Sequence, residues 1–121
     1  MNIRQCIVAM LLKALKASNL DRLGALCFIV DNLGSFDAFN WSMEGDLPIS
    51  SEFIDAVEEM TRMGLVKVNG SSIALISEAP LDCGWLLGRV KSIVDDVLSR
   101  YGHMELEELM DEAAFLYQDK E

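Results

Sequence analysis

Residues 49–78, ISSEFIDAVEEMTRMGLVKVNGSSIALISE, constrain the fold more than any other stretch of this chain. Ser50 or Ser51 can cap a helix running from about 51 to 63, and Gly64 stops it. LVKV and IALI then flank NGSS, a strong hairpin signal. A two-residue or a four-residue loop would both place Val66, Val68, Ile73 and Leu75 on one face. The segment therefore reads as a helix docked on a hairpin, an outline shared with proteins that read DNA. Winding the helix at ~100° per residue puts Phe53, Ala56, Val57, Met60 and Met63 inside. Its outer face then carries Glu52, Asp55, Glu58, Glu59 and Arg62, a balance of −3. Phosphate contact requires Lys, Arg or neutral hydrogen-bonding groups, so each carboxylate on that face opposes nucleic acid. The plain expectation is a solvated face with Arg62 paired to Glu58 or Glu59.

Charge sharpens the point. The whole chain of 121 residues carries −10, a field that repels polyanions and favours basic partners. Residues 1–22 run the other way, with Arg4, Lys13, Lys16 and Arg22 against Asp21, so the remainder carries −13. Any anion-binding surface is expected near the N-terminus, with Lys13 and Lys16 as its candidates. Hydrophobic residues make up 51% of the chain, enough for the core of one domain spanning 1–121.

The flanking elements follow from periodicity. Ile3, Ile7, Val8, Leu11, Leu12 and Leu15 share a face of a first helix over 3–17. The pair SN at 18–19 supplies an N-cap for a second helix striped by Leu23, Leu26, Cys27, Val30 and Leu33, with Gly34 as its terminator. DAFNWSM alternates as a half-buried strand, with Phe39, Trp41 and Met43 on one side, and EGDLPIS reads as a loop. A fourth helix covers roughly 82–101 and a fifth about 104–118. The expected fold class is α+β in the order α-α-β-α-β-β, residues 1–78, followed by a helical extension over 79–121.

Catalysis finds little footing. His103 is the single histidine and sits in a turn, where a solvent-exposed or capping role is the default. No nucleophile comes with a recognisable base, and the glycines form neither a dinucleotide fingerprint nor a P-loop. The three cysteines, Cys6, Cys27 and Cys83, form no C-x-x-C pair and lack the histidines of a zinc site. They read as reduced thiols of a cytoplasmic, non-enzymatic protein without cofactor or metal. No apolar run approaches the ~18 residues of a membrane span.

Two helices look unusual. The fourth has a wide apolar arc of Leu86, Val90, Ile93, Val94, Val97 and Leu98, with Leu87 and Tyr101 beside it. Packing on a small domain needs only a ~100° stripe. Either the fifth helix covers the excess or the arc is the contact of a homodimer. Trp85 falls on the opposite, polar side. On the fifth helix, Glu105, Glu107, Glu108, Asp111 and Glu112 form an acidic outer face with Phe115 projecting into it. Glu108, Asp111, Glu112 and Phe115 are a candidate surface for a basic protein, unless Phe115 folds back onto a neighbouring helix.

LxxLGxLCFIVDNLG, the aromatic FNW, LPISSEF before a helix, and MGLVKVNGSSIAL together resemble small prokaryotic winged-helix-like proteins, over residues 20–77. Some such domains occur in antitoxins. The resemblance implies a winged-helix-like core in which Pro48, Ser50 and Ser51 are structural. Leu47 stands where that pattern has glycine, and the helix that normally precedes the recognition helix would be reduced to the turn at 44–50. The expected function is a small regulatory or interaction module that binds protein, acting as a homodimer. The alternatives are a DNA-binding regulator using the basic first helix, and an acidic inhibitor of DNA-mimic or antitoxin type.

Overall fold

In the computed structural model, which describes residues 1–77 and 82–120, helix α1 (Ile3–Leu15) lies at the centre. Residues 5–12 are buried right round the helix, because α2 (Leu20–Gly34), α3 (Ser51–Arg62) and α4 (Leu87–Tyr101) all pack on it. Its start is fixed by a capping box: the Gln5 amide donates to Asn2 Oδ1 and the Asn2 amide to Gln5 Oε1, satisfying backbone donors the helix cannot.

Lys16 leaves α1 with a positive φ of 71° and turns the chain directly into a short strand, β1 (Ala17–Asn19). This strand was not expected. Ala17 to Asn19 pair antiparallel with β5 (Ser72–Leu75), which also pairs with β4 (Val66–Asn69), giving the sheet order β1-β5-β4. The β4–β5 register leaves Gly70 and Ser71 as a two-residue loop, which decides between the two turns the sequence allowed. Asn19 caps α2 through its side chain, as expected. Gly34 is the last residue of that helix rather than its terminator; Ser35 takes the left-handed conformation instead.

Between α2 and α3 the structure departs from the sequence reading. DAFNWSM is not one strand. Only Ser42–Glu44 (β2) is extended and paired, and its partner is Leu47–Ile49 (β3), inside the stretch expected to be a loop. The cause is Asp31, on α2 and 3% exposed. Its carboxylate accepts the Ala38 and Phe39 amides and the Trp41 indole N–H, at 2.9, 3.2 and 2.9 Å. Backbone donors committed to a carboxylate cannot join a ladder. Arg4 holds the same loop from α1, donating to the Ala38 carbonyl at 2.6 Å.

A 3-10 turn at Gly84–Leu86 leads into α4, and α5 (Leu106–Lys120) packs on α2. Among the described residues the fold is α+β: five α-helices and small antiparallel sheets. Val90, Val94, Val97, Leu109 and Ala113 belong to the same core cluster as α1 and α2, so both final helices complete the core. The expected boundary at 78–79 lies outside the described residues. No described helix is long and apolar enough to cross a membrane.

Two expectations are corrected here. Cys6 and Cys83, 77 residues apart, form a disulfide between α1 and the segment before α4, so these two are not reduced thiols. Cys27 remains a thiol; burial, and secondarily the Asp31 carboxylate, push its pKa well above the ordinary value, which suppresses thiolate reactivity. The proposed dimer arc is also occupied. Val90, Val94 and Val97 are buried under α1 and α2, and Leu86, Ile93 and Leu98 are partly buried against the same core.

Candidate functional site

The N-terminus of α3 is built with unusual care. Ser50 caps it, accepting the Phe53 amide at 3.3 Å. Glu52 Oε1 accepts the Asn40 amide and the Ser50 hydroxyl, both at 2.9 Å, and Oε2 accepts the Ser51 hydroxyl. The Asn40 amide, followed by the Ser50 hydroxyl, lowers the Glu52 pKa to about 2. Glu52 therefore clamps the 35–41 loop to α3 rather than standing on an outer recognition face.

Behind this clamp lies an aromatic cluster. Trp41 packs edge-on against Phe28 at 5.4 Å between centroids, and lies 5.2 Å from Phe39 and 6.4 Å from Phe53. Asp31 orients the Trp41 ring by its indole bond, and the cluster fixes Phe53 in turn. Phe53 continues outward, where it forms the floor of an open groove of about 620 Å³.

Three walls define that groove. One is α3, through Ser50, Phe53, Ile54, Val57, Glu58, Thr61 and Arg62; the spacing of three and four follows one side of the helix. The second is the β2–β3 hairpin, through Leu47, Pro48 and Ile49. The third is the start of α2, through Leu20, Asp21 and Gly24, and Val68 of β4 also lines the groove. A Cβ on Gly24 would lie 3.6 Å from the Phe53 ring, an ordinary van der Waals contact, so the start of α2 borders the ring without crowding it. Ile49, Ile54 and Val68 are each more than a third exposed, and Ile54 reaches 54%. Apolar side chains exposed together along a concave surface mark a contact site far better than the same residues scattered singly.

The sequence pointed to this helix, and two residues of the expected outer face, Glu58 and Arg62, line the groove. Asp55 and Glu58 are exposed as expected, and Arg62 pairs with Glu59 at 2.5 Å. Ile54, which the periodicity left unassigned, is an exposed apolar residue at the edge of that face, on the side toward Val57. Met63, expected inside, is 51% exposed because α3 ends one residue earlier.

The other candidate residues are dispersed. Lys13 and Lys16 are exposed at the end of α1. Arg4 and Arg22 do not reinforce them. Arg4 is committed to the Ala38 carbonyl, and Arg22 donates to the carbonyls of Gly102, at 2.6 Å, and Met104. Phe115 does not fold back: it is 65% exposed on α5, with Glu108 and Asp111 also exposed and Glu112 turned toward the Tyr101 hydroxyl. Trp85 is 89% exposed. Among the described residues, no three His, Cys, Asp or Glu side chains come together as a metal centre. No protein-family model, curated protein or solved structure matches this chain.

Proposed function

We propose that the chain is a winged-helix-like interaction module that binds protein and has no catalytic role. The order helix–strand–helix–helix–strand–strand, with the first strand beside the last, supports a winged-helix reading; the β2–β3 hairpin then stands before the recognition helix, α3. The observation that carries the function is the groove along that helix. Its floor is apolar, whereas a DNA reader presents polar and cationic groups there. Asp55 and Glu58 stand beside the groove, and of the four cations in residues 1–22, Arg4 and Arg22 are held on backbone carbonyls. Lys13 and Lys16 alone would neutralise few phosphates. Val90, Val94 and Val97 of α4 are buried within the chain, which favours the α3 side over α4 as the contact surface.

Fluorescence anisotropy of a labelled mixed-sequence duplex, titrated with the protein at low salt, tests the reading. No saturable binding is expected. Binding that weakens steeply as salt rises would overturn it in favour of a DNA-binding regulator.

A further inference from the structure

We infer that the α3 groove takes a single amphipathic helix whose flanks are rich in lysine or arginine, supplied by a different protein. This inference rests on the protein-binding reading and names the class of partner. Two of the three walls are helices, whose backbone groups are paired along their length; the hairpin wall is an edge strand, but Pro48 at its centre carries no N–H, so the groove favours side-chain contacts over strand addition. The α3 wall runs for about 18 Å, 12 residues at 1.5 Å each. Over that length an occupying helix places apolar residues at i, i+3, i+4 and i+7 against Phe53, Ile54, Val57 and Val68.

Charge decides what flanks those anchors. Asp21 and Glu58 line the groove, and Asp55 is exposed next to Ile54. Glu44 lies directly across the hairpin from Leu47, with Asp46 in the turn between them. The cation on this rim, Arg62, is held by Glu59. A helix with cationic flanks meets carboxylates along both walls, while a second copy of this chain would bring −10 to an already acidic rim.

The test uses the full chain and a fluorescein-labelled peptide of about sixteen residues, long enough to span the groove as a helix. Leucines occupy the i, i+3, i+4, i+7 stripe and lysines the remaining positions. Saturable one-to-one binding is expected, with amide shift changes at Gly24, Ile49, Ile54 and Thr61. Ile54→Asp, at an exposed position that the fold tolerates, should weaken binding about tenfold or more. Glu58→Lys should weaken it, whereas Asp95→Lys on α4, a charge-matched control, should not. Counterparts with glutamate for lysine, or with the same composition scrambled out of helical spacing, should bind at least about tenfold more weakly. The inference is overturned if Ile54→Asp binds like the parent, if the shifts map outside the groove, if either counterpart binds equally well, or if the protein alone dimerises through these residues. None of those results bears on duplex DNA, so failure here and failure of the protein-binding reading are told apart by the anisotropy titration.

Discussion

Asp31→Ala is the substitution that most directly tests how the α3 side is held. The side chain is 3% exposed and accepts three donors: the Ala38 amide, the Phe39 amide and the Trp41 indole. Trp41 is half-buried, so water can replace the lost acceptor for the indole. Ala38 and Phe39 are buried, and their amides would be left without a partner. Each orphaned buried donor costs about 1–3 kcal/mol, partly offset by no longer desolvating a carboxylate, so the net loss is expected near 4 kcal/mol. For 121 residues at ~2.1 cal/mol/K each, that lowers Tm by about 15 °C. Asp31→Asn keeps the shape and one acceptor, and should cost about half as much. Urea unfolding followed by circular dichroism gives the stability change. Trp41 emission, read in a Trp85→Phe background because Trp85 is 89% exposed, reports the loop itself. A loss below about 1 kcal/mol for Asp31→Ala, with unchanged Trp41 emission, would refute the claim that this carboxylate organises residues 38–41.

Three further outcomes are expected. Cys83→Ser opens a bridge between residues 77 apart; chain-entropy arithmetic gives a loss of about 4.5 kcal/mol, checked by urea midpoints with and without a thiol reductant. Quantitative alkylation of Cys6 and Cys83 in the untreated native protein would show that the bridge is absent. The Glu52 pKa, about 2 when folded, lies below the ordinary value near 4.3, so its stabilising contribution is complete above roughly pH 5 and is lost as pH falls toward 2. The stability gap between the parent and Glu52→Gln should therefore narrow over that window, and a gap independent of pH would remove Glu52 as the charged clamp. Phe115→Ala should change stability by less than about 0.5 kcal/mol in a thermal melt, because the ring is 65% exposed; a loss of several kcal/mol would place it in the core.

How far the sequence could be read depended on whether local signals agreed with long-range ones. Helix α3, its cap and the β4–β5 hairpin were legible because Ser50, Gly64 and the NGSS turn segment each act within a few residues. Strand β1 was not. ASN has no strand signature, and it is extended because Lys16 turns the chain so that Ala17 to Asn19 meet Ser72 to Ala74, more than fifty residues away. The alternation in DAFNWSM gave a false strand for the complementary reason. Phe39 and Trp41 do face inward, but the carboxylate that fixes them lies on α2. A hint was present: Asp31 interrupts the apolar run LCFIV, and a carboxylate at the edge of a buried stripe needs donors from somewhere.

The groove escaped the sequence for a related reason, and that reason bears on function. Helical periodicity sorts residues by whether their own helix buries them, so it marked Glu52, Asp55, Glu58, Glu59 and Arg62 as one solvated face and gave Ile54 no role. A concavity is made by what stands beside a helix. Here that is the β2–β3 hairpin, whose Pro48 and Ile49 were read as loop, and the start of α2, where Gly24 borders the Phe53 ring. Once those walls are in place the same residues divide differently. Glu52 is removed to the cap, Glu59 holds Arg62, and Asp55 and Glu58 remain beside an exposed Ile54. An acidic helix alone says only that phosphate is unwelcome. On the proposed protein-binding reading, an acidic helix along an apolar trough would select for a partner that brings apolar anchors and positive charge together, because each feature excludes what the other would admit: the carboxylates disfavour neutral or acidic apolar surfaces, and the trough gives no specific hold to cations without anchors.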